Sequence, residues 1–231
     1  MMTEQQIILT TSAGAIVAYL MGSIPFGLLL GLARGVDIRK HGSGNIGATN
    51  AGRVLGMRYF WFTFFLDFLK GFLPVFCCNL LIARFSGPIW IPLITAMAAI
   101  LGHVFPVYLG FKGGKGVATS FGAVLGIWPI FTISGVGGGI IFVLVFMAKR
   151  IISLSSLFAA IGFAILVPLV GHFMQPIPGM IRPESWRELM PLLIASWLVC
   201  GMVIWKHRSN IKRLLVGTEP KMGQKVQSPH E

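Results

Sequence analysis

Apolar runs of membrane-spanning length recur along this chain, and most of the boundaries between them carry lysine or arginine. A helix that crosses a bilayer needs about 20 apolar residues. The stretches Ile7–Leu32, Tyr59–Ala83, Ile89–Leu109, Leu154–Val170 and Leu189–Trp205 reach or approach that length. With 55% hydrophobic and only 11% charged residues, the chain falls outside the range of soluble domains, and its core is expected to be the bilayer. The formal charge of +12 is distributed in short tracts between the apolar runs, which fits an anionic lipid surface or an anionic small substrate and not a nucleic acid. Cys77, Cys78 and Cys200 lie inside apolar segments without metal-ligand spacing. No basic residue precedes the first apolar stretch, so that stretch is expected to remain as a helix and not to be removed as a signal.

The 32 residues from Val117 to Ala148 carry no charge, too many for one comfortable span and few for two. Lys112 and Lys115 flank one end and Lys149 and Arg150 the other. Because cytoplasmic loops collect Lys and Arg, both ends belong on one side, which predicts two short helices turning near Trp128 to Ser134. The expected fold is therefore an all-α membrane bundle of seven passes, N-terminus outside and C-terminus cytoplasmic. That arrangement places 15 of the 19 Lys and Arg residues inside. Residues 1–216 form one transmembrane domain and residues 217–231 a cytoplasmic tail. The longest outside loop, His172 to Glu188, reads as an interfacial segment.

Four polar stretches fall on the cytoplasmic side of this layout. The first runs from His41 to Arg53 through Ser43, Asn45, Thr49 and Asn50, and offers several donors to an anion. An ordinary solvated turn before a helix has the same composition. The second, Gly102 to Thr119, contains His103 and the loop Gly110-Phe111-Lys112-Gly113-Gly114-Lys115-Gly116. Glycines let backbone N–H groups turn toward an anion. The loop is no nucleotide-binding motif, since Lys115 is followed by glycine and no hydroxyl is placed for magnesium. The third is Ser153-Leu154-Ser155-Ser156, which could equally be a simple helix cap. The fourth begins at His207-Arg208-Ser209-Asn210, where the alternative is a basic tail on anionic lipid. Within the second long run, Asp67 and Lys70 stand three apart and share a helix face. A structural ion pair is the favoured reading there over a proton relay.

The inventory of donors is rich and that of bases and nucleophiles is poor. There is no Gly-x-Ser-x-Gly elbow, no metal-binding helix pattern, and no histidine with an aspartate at the fifth place after it. No metal or other cofactor is expected. Such a site would bind phosphates and let the substrate supply its own chemistry.

Taken together, Gly42 to Asn50 with Arg53, Gly102 to Pro106 continuing through Gly113 to Thr119, and His207 with Asn210, Ile211, Arg213 and Leu214 closely resemble the bacterial acyl-phosphate:glycerol-3-phosphate acyltransferases. The resemblance implies an integral inner-membrane enzyme with its active site facing the cytoplasm. It would transfer an acyl group from acyl phosphate to the 1-hydroxyl of sn-glycerol 3-phosphate, giving 1-acyl-glycerol 3-phosphate and phosphate in phospholipid synthesis. Carried over by position, Ser43 and Arg53 correspond to phosphate-binding and catalytic residues, with Asn45 and Thr49 beside them. Lys112, Gly113, Gly114, Lys115 and Gly116 correspond to the glycerol-phosphate loop. His207 and Asn210 correspond to third-motif site residues, Glu219 to a structurally important carboxylate, and Ser153 or Ser156 to a site hydroxyl. Implied partners are glycerol 3-phosphate, acyl phosphate, membrane lipids and the enzyme that makes acyl phosphate.

An acyl phosphate is already activated, so positioning suffices and the leaving phosphate can take the proton. His207 as a general base is the competing version. Rival readings are a transporter for a phosphorylated metabolite, a scaffold for lipid-synthesis partners, and an acyltransferase using acyl-CoA or acyl-carrier protein.

Overall fold

The computed structural model describes residues 2–173 and 186–223, with side chains from residue 189 onward in the second stretch. The regular structure among the described residues is all helical, in ten α-helices and two short 3-10 turns: α1 (Glu4–Gly22), α2 (Phe26–Leu32), α3 (Ala48–Leu55), α4 (Met57–Arg84), α5 (Trp90–Val104), α6 (Val117–Leu125), α7 (Ile130–Lys149), α8 (Ile152–Phe173), α9 (Trp186–Lys206) and α10 (Arg208–Leu215). A capping box starts α1, where the Thr3 hydroxyl accepts from the Gln6 N–H and the Gln6 side chain accepts from the Thr3 N–H. Pro25 breaks the first apolar run into α1 and α2, and the expected interfacial loop lies largely in residues 174–185, outside the described residues.

Six segments among the described residues are long and apolar enough to cross a membrane: Glu4–Leu32, Met57–Arg84, Trp90–Leu109, Ile130–Lys149, Ile152–Phe173 and Leu189–Lys206. The two short helices expected between Val117 and Ala148, turning near Trp128 to Ser134, form with unequal lengths. The turn falls at Gly126–Pro129, earlier than expected, leaving nine residues in α6 and 20 in α7. Helix α7 runs through Ser134 and Gly135 because both are buried against neighbouring helices, where small residues permit close packing. Nine residues rise only about 14 Å, half the hydrocarbon thickness.

Close backbone contacts at glycine hold the layers together. A Cβ on Gly22 would strike the Ala99 carbonyl and one on Gly102 the Tyr19 carbonyl, which locks α1 to α5. Gly71 and Gly122 meet Thr119 and Phe68 in the same way between α4 and α6. Without a hydrophobic drive between helices in lipid, such small-residue contacts let the backbones pack. The buried core gathers Val75, Ile100, Val104, Ile127, Phe131, Phe163 and Leu192, while Trp61, Phe65, Ile140, Leu144 and Trp197 point outward. At the end of the bundle where α4 begins, the chain after α10 turns back, and the Met222 N–H donates to the Arg150 carbonyl at 2.7 Å. The first residues of the tail are thus woven into that end.

Candidate active site

Helices α3, α6, α8 and α10 all begin at one polar cavity of about 130 Å³, lined by Gly47 and Ala48, Gly116 and Val117, Ile152 and Ser153, and His207 and Asn210 respectively. Helix starts present unpaired N–H groups and the positive end of the helix dipole, so their convergence favours an anion. Neither α3 nor α6 has a side-chain cap to occupy those donors. Arg53, Lys115 and Arg213 add three cations to the lining, against the two carboxylates of Glu219 and Asp67, the second of which is paired with Lys70.

Glu219 organises the cationic wall. Its Oε1 accepts from Ser153 Oγ at 2.7 Å and from Asn210 Nδ2 at 2.6 Å, and its Oε2 accepts from Arg213 Nε at 2.7 Å. Burial pushes this carboxyl up, but those hydrogen bonds and the Arg213 charge outweigh it and hold Glu219 below the usual carboxylate range. Asn210 uses its other end as well, because its Oδ1 accepts from the Lys115 ammonium. Burial is the main reason that Lys115 falls to about 8; Arg213, Arg53 and Lys206 add to the effect and Glu219 opposes it. Positions 207, 210 and 213 are three apart, so one face of the α10 segment supplies His207, Asn210 and Arg213.

His207 is buried, and its Nδ1 lies 2.7 Å from the Val203 carbonyl, so Nδ1 carries the proton and Nε2 is left as an acceptor. Burial and the Lys115 charge push its pKa down to about 4. A neutral imidazole of this tautomer accepts a hydroxyl hydrogen but has no N–H left to donate to an oxyanion.

The first polar stretch is shaped from beneath by Asn50, 1% exposed, whose Nδ2 donates to the carbonyls of Ile38 and His41 and whose Oδ1 accepts from the Ser43 N–H. Gly42 at φ +60° and Gly44 at φ +67° let the chain turn around this side chain. Asn45 Oδ1 accepts from the Gly47 N–H at 2.9 Å and so shapes the start of α3. Thr49 and Arg53, four apart on α3, both line the cavity, as does Ser43. The Ser43 hydroxyl and the Arg53 guanidinium have no hydrogen-bond partner among the described residues, which leaves them available to a ligand.

The glycine-lysine loop divides. Lys115 and Gly116 line the cavity, whereas Lys112, Gly113 and Gly114 do not. Gly113 and Gly114 press against the end of α5: the Gly114 N–H donates to the His103 carbonyl at 3.1 Å, and a Cβ on Gly114 would collide with the His103 ring. These two glycines serve close packing. Among the serines, Ser153 and Ser156 line the cavity, while Ser155 is buried with its hydroxyl on the Ile151 carbonyl. Lys70 lies 2.8 Å from Asp67, both buried, and Asp67 and His103 also line the cavity.

Several lining residues escaped sequence reasoning. Arg213 and Asn50 stood inside quoted motifs, and the helical spacing of 207, 210 and 213 was available to find the first of them. Phe60, Phe64 and Asp67 follow an i, i+4, i+7 pattern on α4 that carries one face into the site. Phe60, Phe64, Val117, Phe142 and Ser156 also border a second, almost wholly apolar cavity of about 590 Å³ between α4, α6, α7, α8 and α9. A cationic chamber thus opens onto an apolar groove, a shape suited to a ligand with a phosphate at one end and a hydrocarbon chain at the other. No cluster of His, Cys, Asp or Glu suited to a metal occurs among the described residues.

Residues 13–217 match the sequence profile of the family described as glycerol-3-phosphate acyltransferase. The glycerol-3-phosphate acyltransferase of Aquifex aeolicus is 38% identical over 204 residues, 88% of this chain and 95% of that protein. Its counterpart from Geotalea daltonii is 45% identical over 205 residues, covering 87% and 92%. In three dimensions the chain resembles crystal structures of PlsY (YgiH), an integral membrane glycerol 3-phosphate acyltransferase. The glycerol 3-phosphate form superposes with a TM-score of 0.77 at 38% identity, over 92% of this chain and 96% of that one. The lysophosphatidic acid form gives 0.75 at 37%.

Proposed function

The chain belongs to the glycerol-3-phosphate acyltransferase family, and from that premise we propose that it transfers an acyl group from acyl phosphate to the 1-hydroxyl of sn-glycerol 3-phosphate. The observation that carries the reading is the cationic chamber opening onto an apolar groove through shared walls. The two phosphates occupy the chamber, held by Arg53, Lys115 and the helix starts at Ala48 and Val117. The acyl chain lies in the groove, and its carbonyl sits where Phe64, Phe142 and Ser156 border both spaces.

In this account the glycerol 1-hydroxyl points its hydrogen between two acceptors, His207 Nε2 and a phosphate oxygen, and attacks the acyl carbonyl. The new C–O ester bond forms, the bond from the carbonyl carbon to the phosphate oxygen breaks, and the hydroxyl proton passes to a phosphate oxygen. A phosphate monoester has its second pKa at about 6, whereas burial and the Lys115 charge push His207 down to about 4. The phosphate is therefore the better proton acceptor near neutrality. Asn210 is engaged at both ends of its amide, so stabilisation of the developing oxyanion falls to Ser43, Arg53 and backbone N–H groups.

The clustering of Arg53, Lys115, Arg150, Lys206 and Arg213 at the site end supports a cytoplasmic placement for it. Counting α6 as an incomplete pass gives a seven-helix bundle in the inner membrane with its N-terminus outside. The test is an assay of purified protein with radiolabelled glycerol 3-phosphate and, separately, acyl phosphate, acyl-CoA and acyl-carrier protein. Acylated glycerol phosphate from acyl phosphate is the expected result. Product with acyl-CoA alone would remove the donor assignment, and no product with any donor would remove the reading.

A further inference from the structure

The apolar groove is too short for a full-length membrane acyl chain. On three helices the run from a residue shared with the chamber to the last groove residue is seven positions: Val117 to Val124 on α6, Phe142 back to Gly135 on α7, and Ser156 to Phe163 on α8. Seven helical residues rise about 10 Å. An extended hydrocarbon of C–C bonds about 1.5 Å long advances about 1.3 Å per carbon, so about eight carbons fill that depth. A chain that reaches the bilayer midplane, about 15 Å below the hydrocarbon surface, is longer.

The far end of the groove is closed. Val124 and Phe163 are buried there, Phe163 packs edge-on against Phe131 at 5.1 Å, and a Cβ on Gly135 would strike Val124. One long side is open instead. Its residues Trp61 on α4 and Val136, Ile140, Val143 and Leu144 on α7 are between 49% and 61% exposed, on the outside of two membrane-length helices. Helix α6, packed against both α4 and α7, forms the back. Partway along, the walls narrow, since a Cβ on Gly139 would lie 3.3 Å from the Phe121 ring. Phe121 and Gly139 stand four and three residues from the shared ends, about 5 Å deep, at the level of the fourth or fifth carbon.

Lipid tails are as apolar as the side chains of such a groove. Carbons beyond the eighth therefore gain nothing by staying inside the protein.

We propose that the groove reads only about the first eight carbons of the acyl chain and that the remainder passes sideways between α4 and α7 into the bilayer. The enzyme is then selective for chain shape near the carbonyl and indifferent to bulk at the tip. This inference rests on the acyltransferase reading and adds to it the part of the donor that is recognised.

The experiment compares hexadecanoyl phosphate with two isomeric donors, one carrying a phenyl group at carbon 16 and one at carbon 5. Purified protein in a bilayer is assayed with glycerol 3-phosphate at equal mole fractions of donor. The tip-phenyl donor is expected within about threefold of hexadecanoyl phosphate in kcat/KM, and the carbon-5 isomer at least about tenfold below it, because overpacking a narrow site is costly. Phe121→Ala, which clears space at that level, should shrink the carbon-5 penalty to within about threefold. A tip-phenyl donor rejected by tenfold or more shows a closed tunnel and overturns the inference alone. So do equal wild-type rates on the two isomers, and so does a folded Phe121→Ala variant that keeps the full carbon-5 penalty. The wild-type comparison decides even where the variant does not fold. No product from hexadecanoyl phosphate itself would overturn the proposed reaction and this inference with it.

Discussion

Lys115 and His207 carry the electrostatic argument residue by residue. Lys115 titrates at about 8, so its charge is present at neutral pH and lost as pH rises through that value. Its pKa is depressed by folding. The empty protein therefore gains stability as pH rises from about 8 toward the ordinary lysine value, and a bound phosphate reverses that trend by favouring the charged form. The KM for glycerol 3-phosphate is expected to climb above pH 8, and Lys115→Arg to flatten the climb. A KM independent of pH from 6.5 to 9.5 in the wild type would contradict the role. His207 is held neutral with its Nδ1–H on Val203, so only an acceptor faces the substrate. His207→Gln should lose no more than about tenfold in kcat if orientation is its task; a fall of several decades with unchanged substrate binding would restore it as a general base.

At the scale of elements, what was legible in the sequence was whatever a period or a charge boundary announces. The long apolar runs gave five spans whose limits agree with the helices to within a few residues, because hydropathy over 20 residues averages out local detail. The uneven hairpin of α6 and α7 was not legible, since a charge-free run does not say where a helix turns, and Pro129 marks a helix start as readily as a midpoint. Gly113 and Gly114 read as a phosphate cradle because tertiary packing against His103 leaves no trace in spacing. The break between α1 and α2 has its own device. Lys70 reaches from α4 to the Ile24 carbonyl and pairs with Asp67 on the way. Lys70→Met would leave Asp67 buried without its counter-charge, at a cost of about 3–5 kcal/mol. Thermal unfolding of the variant in detergent should show a clearly lowered melting temperature, and an unaltered one would refute the structural role.

Across the whole molecule, residues from five distant parts of the chain meet in one chamber: Arg53, Asp67, Lys115, Ser153 and the pair Asn210 and Glu219. The sequence order of the polar stretches located the correct end of the bundle, while the knot around Glu219 depends on a tail that folds back over α10 and so could be placed only by the structure. Ser153 is tied into that knot through Glu219, whereas Ser155 does not line the chamber. The apolar groove beside the chamber is assembled from helices α4, α6, α7, α8 and α9, none of which carries a motif for it. Under the proposed reading, this union of a polar chamber with an apolar groove is what lets an integral membrane protein act on a soluble phosphate ester.

The central claim is that acyl transfer takes place in this chamber, with Arg53 clamping a phosphate there. The most direct measurement is kcat/KM for acylation of glycerol 3-phosphate by acyl phosphate in Arg53→Gln beside the wild type, with melting temperatures recorded for both. The account predicts a fall of at least about a hundredfold at an unchanged melting temperature. A folded variant that keeps wild-type activity would contradict it.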